Sequence, residues 1–502
     1  MAATSATKGH IRTVGLNTSY QIGAQVAPAV GAIAAIPFLL RHLGSEVFGI
    51  VTIFSTALAY FTMLDLGLGR AATRFIAQSL ESDHPDNVRR YFWGSILLLC
   101  GIGVIATALS LLLVPPVVSG FLKIPAVYVR PAIQSLSIIC LTIPLVTLMA
   151  TLRGFLEASG RFAFISIATG CGGFALYVLP AIAVSMGGQL VAVAAALCLV
   201  RVGMCGVMGL GCLYTRGRPS LRPAFDPTAV KRMLSFGGWL SVSNIVGTAA
   251  TYGDRFLLGA CAGMVAVTSY GMPLDVISKL QVLIGSFCSV LFPLMSRLDG
   301  SGSDQFETVY RGAIAAALSL MTMVATWAAV LIPLMMRLWL GGRSTPDSVF
   351  AAQVFLAGAV VQSTASIAWT ALHARGRSDL TAWVHMGEFP LYCAAFYFAT
   401  TRYGVRGAAL VWFGRVVVDF LCMAVMLRIQ RRGDSSGTPP ELVAALVSLG
   451  ILALAFVPKA ETVPLAAMIC CLTLLWTWRM LLDAPTRSRV VRLMRRGEPR
   501  PA

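Results

Sequence analysis

Charged side chains are scarce in this 502-residue chain, because Asp, Glu, Lys and Arg together make up only 12% of it. A soluble protein of this length carries roughly 25% charged residues. Apolar residues make up 57% of the chain, and the mean hydropathy is +0.78. Such an apolar excess must face something other than water, and a bilayer is the simplest candidate. The composition therefore argues against an ordinary soluble domain.

Motifs for covalent or metal chemistry are also missing. The 12 Cys lie singly in apolar runs, apart from the adjacent Cys470-Cys471, and no His/Cys cluster has zinc-site spacing. No Lys precedes Ser or Thr, so the phosphate-binding Gly-x4-Gly-Lys-Ser/Thr loop of an ATPase is absent. There is no Asp-x-Asp-like site of a glycosyltransferase. We therefore expect a transporter rather than an enzyme, with no cofactor and no metal.

Long apolar runs recur along the chain and predict an all-α polytopic membrane protein. A spanning helix needs about 20 mostly apolar residues. On that criterion we predict about 14 transmembrane helices, near 15–40, 48–69, 94–118, 131–152, 164–185, 189–213, 235–256, 265–294, 312–336, 351–372, 381–400, 406–427, 441–457 and 464–482.

The distribution of basic residues predicts the orientation. With the N-terminus inside, the cytoplasmic segments carry roughly three times as many Lys and Arg as the opposite side. This bias predicts a multi-pass membrane protein with both termini in the cytoplasm. The net charge of +18 is spread over short gaps between apolar runs, so we do not expect a nucleic-acid partner.

A short motif occurs twice and indicates an internal duplication. Leu156–Arg161 and Leu372–Arg377 share a Leu-x-Ala-x-Gly-Arg frame 216 residues apart, and Val51-Thr52 recurs as Val267-Thr268 at the same offset. A duplicated half of this length in an apolar chain is typical of two-lobed transporters. With six spans per repeat, the two lobes keep one orientation, so their pseudo-two-fold axis is expected along the membrane normal with a cavity between them.

The repeat predicts five segments in the chain. These are an N-terminal six-helix lobe at 1–213, a cytoplasmic linker at 214–234, a C-terminal six-helix lobe at 235–427, two extra helices at 428–482 and a basic cytoplasmic tail at 483–502.

Several short motifs, in their order and spacing, resemble those of a known family. They are Leu43-Gly44-Ser45-Glu46-Val47-Phe48-Gly49, Leu64-Asp65-Leu66-Gly67-Leu68-Gly69 with Arg70 and Arg74, Arg153-Gly154 with Ala158-Ser159-Gly160-Arg161, and Asp254-Arg255-Phe256. Together they resemble the Wzx-type polysaccharide and O-antigen flippases of the MOP (multidrug/oligosaccharidyl-lipid/polysaccharide) exporter superfamily. The resemblance covers nearly the whole chain.

This resemblance implies a location in the bacterial inner membrane, a function and a set of partners. It implies alternating-access translocation of an undecaprenyl-pyrophosphate-linked oligosaccharide from the cytoplasmic to the periplasmic leaflet, for cell-surface polysaccharide synthesis. The expected partners are that glycan, the bilayer, and polysaccharide polymerase and export proteins. The alternative is an ion-coupled multidrug or small-molecule antiporter of the same superfamily. A coupling ion, H⁺ or Na⁺, is left open by the sequence.

Charges inside the spans are the candidate functional residues, because such charges are costly and usually face a cavity or a partner. Two pairs stand four residues apart, Asp275 with Lys279 and Arg415 with Asp419. In one alternative each pair neutralises itself and has a structural role. In the other, a cationic lumen binds pyrophosphate through Arg201, Arg255, Lys279 and Arg415.

Arg201 is the strongest lumen candidate because no acidic residue lies within one helical turn of it. It could face Arg415 across the axis, since the two occupy corresponding helices. Six charged residues are candidates for gating or structural roles: Asp65, Arg70, Arg74, Asp254, Asp275 and Asp419. His385 and Glu388, three residues apart, suggest a proton or cation site only weakly.

Overall fold

The computed structural model describes residues 2–62, 68–81, 85–215, 223–224, 226–298, 303–340, 344–429, 440–457 and 459–481. Within these ranges the regular structure is helical, and no β-strand occurs. The predicted all-α class is therefore confirmed for the described part of the chain. The C-terminal segment 483–502 and Asp65 lie outside it.

The α-helices follow one another with short connections. In chain order they are α1 (Ala2–Phe61), α2 (Leu68–Glu81), α3 (Pro85–Pro116), α4 (Ala126–Cys140), α5 (Ile143–Ala158), α6 (Phe162–Ser185), α7 (Leu190–Leu213), α8 (Pro227–Ala262), α9 (Met264–Ile277), α10 (Gln281–Leu298), α11 (Ser303–Leu340), α12 (Pro346–Ala374), α13 (Ser378–Ile429), α14 (Pro440–Ala453) and α15 (Lys459–Leu481).

Ten stretches in the described part of the chain are long and apolar enough to cross a membrane. Two of them contain two predicted spans each, because α1 continues through a break at Gly44 and α13 through a break at Gly404. Large apolar side chains remain exposed along these helices, as at Leu112, Val127 and Ile429. Such surface suits lipid rather than water. The polytopic class is confirmed, and the number of crossings stays a prediction.

The repeated motif ends a helix in the same way in both halves. At the end of α5, Gly160 N–H donates to Glu157 O and Arg161 N–H donates to Leu156 O, at 3.0 and 2.9 Å. At the end of α12, Gly376 N–H donates to His373 O and Arg377 N–H to Leu372 O, both at 3.0 Å. This is a Schellman ending, which requires a residue with positive φ. Gly160 has φ of 72° and Gly376 has φ of 71°.

All six positive-φ glycines of the described chain fall into pairs that match between the halves. Gly160 and Gly376 are 216 positions apart, Gly187 and Gly404 are 217 apart, and Gly44 and Gly263 are 219 apart. An L-residue with a side chain rarely adopts this conformation, so each pair marks a backbone turn that both halves share. The structure therefore supports the duplication inferred from sequence.

Equivalent helices meet where α9 packs against the second half of α1. A Cβ added at Gly49 would collide with the Met264 carbonyl, and Thr268 Oγ1 donates to Ser45 O at 2.6 Å. With an offset of 219, Ser45 corresponds to Met264 and Gly49 to Thr268. The symmetry that relates the two halves therefore turns the contact of Gly49 with Met264 into the contact of Thr268 with Ser45. Such exchange is the property of a two-fold interface.

The pseudo-two-fold axis passes close to Thr52 and Gly271. A Cβ at Gly271 would lie 2.8 Å from Thr52 Cγ2, and the two positions are themselves 219 apart. The match of Val51-Thr52 to Val267-Thr268 is therefore wrong as a structural alignment. The register differs from it by three residues, because the break at the glycine pair 44/263 fixes where each following helix begins.

Contacts divide the chain into two compact units. The first consists of Met1–Lys279, Trp339–Thr345 and Phe389–Ala408, and the second of Leu280–Leu338, Pro346–Glu388 and Ala409–Ala502. The five segments derived from the repeat stay a prediction, because duplication and compactness divide a chain by different criteria.

The N-terminus of α8 is capped by Asp226, whose pKa is lowered by hydrogen bonds from the Thr228 hydroxyl and backbone N–H.

The first unit has a buried core between α2, α3, α5 and α7. Ala71 and Ile76 of α2 are fully buried with Leu99 of α3 and Phe155 of α5. The Phe92 ring packs edge-on against Phe155 with centroids 5.5 Å apart. This packing fixes the relative positions of α2 and α5, which carry two of the arginines described next.

Candidate functional site: an arginine-lined cavity

A cavity of about 430 Å³ lies in the first unit among α2, α5, α6 and α7. Three arginines line it, Arg70 from α2, Arg153 from α5 and Arg201 from α7. We call it the arginine cavity. Its volume falls in the range of small-molecule sites, roughly 300–1,000 Å³.

Close packing of α2 against α5 brings Arg70 and Arg153 to one place. A Cβ added at Gly154 would lie 3.0 Å from both the Gly69 carbonyl oxygen and Thr73 Oγ1. Only a glycine allows this approach without displacing α2. Arg201 reaches the cavity from the middle of α7, 11 residues after the helix begins at Leu190. The helix rise of about 1.5 Å per residue therefore puts it far from either end.

The cavity has an excess of positive charge. Arg153 Nε lies 2.7 Å from Glu157 Oε1, which also lines the cavity, so these two charges offset each other. No acidic side chain in the described ranges pairs with Arg70 or Arg201, and Arg201 Nε is buried without a hydrogen-bond partner there. Two guanidinium groups thus remain for an anion, and guanidinium matches phosphate oxygens with two parallel bonds.

Threonine hydroxyls complete the polar lining. Thr62 donates to Ala59 O, Thr73 to Gly69 O and Thr169 to Ile165 O, at 2.7, 3.0 and 2.7 Å. Their protons are used within their own helices, which leaves the hydroxyl oxygens as acceptors. The donors available to an anionic group in this cavity are therefore the arginines.

Arg255 is placed in a buried network beside the pseudo-two-fold axis. Its side chain is 6% exposed, and Arg255 Nη2 donates to Asp275 Oδ1 at 2.5 Å. Arg255 Nη1 donates to Thr56 Oγ1 at 3.3 Å, and Asp254 accepts from the Arg255 backbone N–H at 2.8 Å. Tyr270 Oη donates to Asp254 Oδ2 at 2.7 Å. Two of these contacts involve the guanidinium, and its Nε is buried without a hydrogen-bond partner in the described ranges. The close ion pair with Asp275 favours a structural role for Arg255, Asp254 and Asp275.

Of the two alternatives for Asp275 and Lys279, the structure does not favour a mutual ion pair, since Asp275 pairs with Arg255. The physical reason is a break in the helix. The α9 helix ends at Ile277, and Lys279 lies in the short 3₁₀ turn Ser278–Leu280 before α10. Lys279 is therefore no longer one α-helical turn from Asp275, and its place in a lumen stays a prediction.

Arg415 and Asp419 likewise have partners other than each other. In the second unit Arg415 Nη1 donates to Glu388 Oε1 at 3.2 Å, and His385 Nε2 lies 3.2 Å from Asp419 Oδ1. The partners come from the segment of α13 before Gly404, which packs beside the segment after it. Tertiary contact thus replaces the pairing along one helix.

The remaining candidates divide as follows. Both Arg70 and Arg74 are exposed residues of α2, and of the two only Arg70 lines the arginine cavity with Arg201. Sequence reasoning missed Arg153 and Glu157 as a cavity pair, because Arg153 entered only as part of a motif that resembles the flippase family. Their four-residue spacing along α5 was the available signal.

The sequence of this chain is similar to those of known proteins. A family model described as "Polysaccharide biosynthesis protein" matches residues 14–299. A Shigella flexneri protein named "Putative O-antigen transporter" is 28% identical over 409 residues, which are 81% of this chain and 96% of that protein.

Among the solved structures that share the fold, two illustrate the similarity. An inward-facing multidrug resistance MATE family transporter of the MOP superfamily has 17% identity and a TM-score of 0.70, over 84% of this chain and 96% of that chain. The lipid II flippase MurJ in an inward closed conformation has 11% identity and a TM-score of 0.67, over 93% and 100%. Identities this low show a common fold and nothing further.

Proposed function

Because the chain belongs to the polysaccharide biosynthesis protein family, we propose that it flips a polyprenyl-pyrophosphate-linked oligosaccharide from the cytoplasmic to the periplasmic leaflet of the inner membrane. The movement proceeds by alternating access and serves cell-surface polysaccharide synthesis. The excess positive charge of the arginine cavity is the observation that carries this proposal. Its relatives are transporters, in agreement with the prediction of a transporter rather than an enzyme.

The charges of the cavity suit the pyrophosphate of such a substrate. A charge in the middle of a spanning helix costs about 2.5–3.5 kcal/mol on insertion scales, so an unpaired arginine there needs a partner. The pyrophosphate supplies that partner when Arg201 and Arg70 contact it. The remaining volume near Thr169 and Met204 can accept part of the first sugar.

The location of the cavity also fits loading from the cytoplasm. The predicted orientation puts Arg70 and Arg153 at the cytoplasmic ends of their helices, and Arg201 deeper in the membrane. A headgroup that enters from the cytoplasmic leaflet would meet Arg70 and Arg153 first and Arg201 next. The cavity therefore provides successive cationic contacts along the start of the path.

Replacement of Arg201 tests the proposal. Arg201→Ala should abolish display of the surface glycan in the native host at normal protein abundance, with the lipid-linked intermediate trapped in the cytoplasmic leaflet. Arg201→Lys should retain part of the activity, because Lys keeps the charge but loses the two-bond geometry. Arg130→Ala, at an exposed arginine of α4 outside the cavity, is the matched control.

Two outcomes would count against the proposal. Full glycan display in Arg201→Ala would remove Arg201 from the substrate path. A deletion strain with normal glycan but greater sensitivity to amphipathic drugs would favour the multidrug antiporter. Mass spectrometry of the lipid-linked pool in the deletion strain identifies the substrate in the same experiment.

A further inference from the structure

Four ionisable side chains meet in the second unit on the two segments of α13. They are His385 and Glu388 before the break at Gly404, and Arg415 and Asp419 after it. One side-chain atom of each residue, a ring nitrogen of His385 and a carboxylate oxygen of Glu388 and of Asp419, lies within 4.8 Å of the other two. We call these four residues the carboxylate cluster.

The carboxylates of this cluster are incompletely satisfied. The Glu388 side chain is only 8% exposed, and Glu388 Oε1 accepts from Arg415 at 3.2 Å. Glu388 Oε2 is buried with no hydrogen-bond donor in the described part of the chain. Asp419 Oδ1 is likewise buried, with His385 Nε2 at 3.2 Å in poor hydrogen-bond geometry. A buried carboxylate oxygen without a donor is costly.

The charges of the cluster do not balance when His385 is neutral. Two carboxylates face one guanidinium, which leaves one excess negative charge. Among the described residues, the other ionisable groups near the cluster are His373 of α12, Cys422 of α13 and Cys288 of α10. The His373 ring stacks on Trp369 and hydrogen-bonds Thr381, and the two thiols carry no positive charge. None of these groups supplies a permanent cation.

A cavity connects the cluster to the outside of its unit. It has a volume of about 550 Å³ and is lined by His385 and Asp419, together with the polar side chains of Ser289, Gln362, Ser366 and Thr370. Glu388 does not line it. His385 and Asp419 therefore form the side of the cluster that lines the cavity, and Glu388 and Arg415 form the side away from it.

We propose that the carboxylate cluster binds one proton, which enters from this cavity through His385 and is held between Asp419 and Glu388. Hydronium in the cavity gives its proton to His385 Nδ1 and becomes water, while His385 Nε2 passes its own proton to an oxygen of Asp419. The bound proton leaves one carboxylate opposite Arg415, so the buried cluster becomes neutral. Release reverses these steps.

Metal ions fit the cluster less well than a proton. A divalent ion would leave one excess positive charge, with Arg415 Nη1 already 3.2 Å from Glu388. Na⁺ would balance the charge, but it is a hard cation that prefers oxygen ligands, and His385 offers nitrogen. Proton binding itself does not depend on the proposed function. The use of the bound proton to drive glycan export does rest on the proposed function.

Infrared difference spectroscopy tests the site on the purified full-length protein without glycan. A downward pH step should produce the C=O stretching band of a protonated carboxyl and uptake of about one proton per chain. Glu388→Gln and Asp419→Asn should each lose both signals, because Arg415 then balances the single remaining carboxylate. Glu461→Gln, at an exposed position of α15, should keep both.

The kinetics and the salt dependence complete the test. His385→Gln should keep the band but form it more slowly, since both carboxyls remain and the relay is lost. If one carboxyl variant fails to fold, the other carries the test. An unchanged band in a folded Glu388→Gln or Asp419→Asn protein would overturn the proposal, as would the same spectral change on adding Na⁺ at constant pH. Glycan export by Arg201 variants is measured separately, so the two proposals can fail independently.

Discussion

The ion pair of Arg255 with Asp275 is expected to be a main support of the region around the pseudo-two-fold axis. Asp275→Asn removes the charge that faces a guanidinium only 6% exposed, while the shape of the side chain is nearly kept. Removing one member of a buried pair costs about 3–5 kcal/mol, because the other charge is left without compensation.

The structure lowers that figure for two reasons. The Asp275 side chain is 30% exposed, so water screens part of the interaction. Asp254 remains next to Arg255 and contributes a second negative charge. We therefore expect Asp275→Asn to destabilise the protein by about 2–3 kcal/mol.

A second single variant separates this effect from general damage. Arg255→Met should destabilise the protein more than Asp275→Asn, because it leaves both Asp275 and the buried Asp254 without a guanidinium, whereas Asp275→Asn keeps Arg255 beside Asp254. Thermal unfolding of the detergent-purified full-length protein is the measurement. Asp379→Asn is the control, since Asp379 pairs with Arg377 at the surface and such pairs contribute about 0–1 kcal/mol.

The reasoning would be refuted by either of two results. Asp275→Asn could unfold at the wild-type temperature, which would mean that water or Asp254 fully replaces the lost charge. Alternatively, Arg255→Met could be as stable as Asp275→Asn, which would mean that the carboxylates of Asp254 and Asp275 do not need the guanidinium of Arg255.

Two further predictions concern glycines. Gly160→Ala and Gly376→Ala should each lower the free energy of unfolding by about 1 kcal/mol, since both residues have positive φ. Gly101→Ala, in an open helical position, should stabilise the protein slightly. Equal unfolding temperatures for all three variants would contradict the shared Schellman ending. Gly49→Val should reduce both stability and glycan export because its side chain would meet the Met264 carbonyl, whereas Thr268→Val should lose only one hydrogen bond, about 1 kcal/mol. The same unfolding assay checks both, and a harmless Gly49→Val would contradict the close packing of α1 on α9.

Sequence reasoning predicted the features that depend on local pattern. Helical class follows from the apolar runs, and the duplication follows from the repeated Leu-x-Ala-x-Gly-Arg frame. That frame can be recognised in the sequence because it specifies one backbone conformation. In both copies the helix ends at a glycine with positive φ, Gly160 or Gly376. The family resemblance is confirmed by the match to residues 14–299.

Sequence reasoning failed where partners come from different helices. Spacing of four residues suggested that Asp275 and Asp419 pair within their own helices, yet one partner is 20 residues away and the other is His385, 34 residues away. In the same way, Arg70, Arg153 and Arg201 are distant in sequence and share one cavity. The sequence of one helix does not specify which side chains of a neighbouring helix it contacts, so pairs between helices could not be predicted.

The duplication explains how one fold can hold charge close to its own symmetry axis. With an offset of 219, Asp275 corresponds to Thr56, and both contact the same guanidinium of Arg255. If the two halves were identical here, a second carboxylate would stand at position 56, and Arg255 would face an additional buried negative charge. Divergence to threonine keeps a hydrogen-bond acceptor without that charge, so a single ion pair suffices. The same independence of the halves permits a cationic cavity in the first unit and an anionic cluster in the second. Substrate binding and proton binding can therefore be altered separately by substitution.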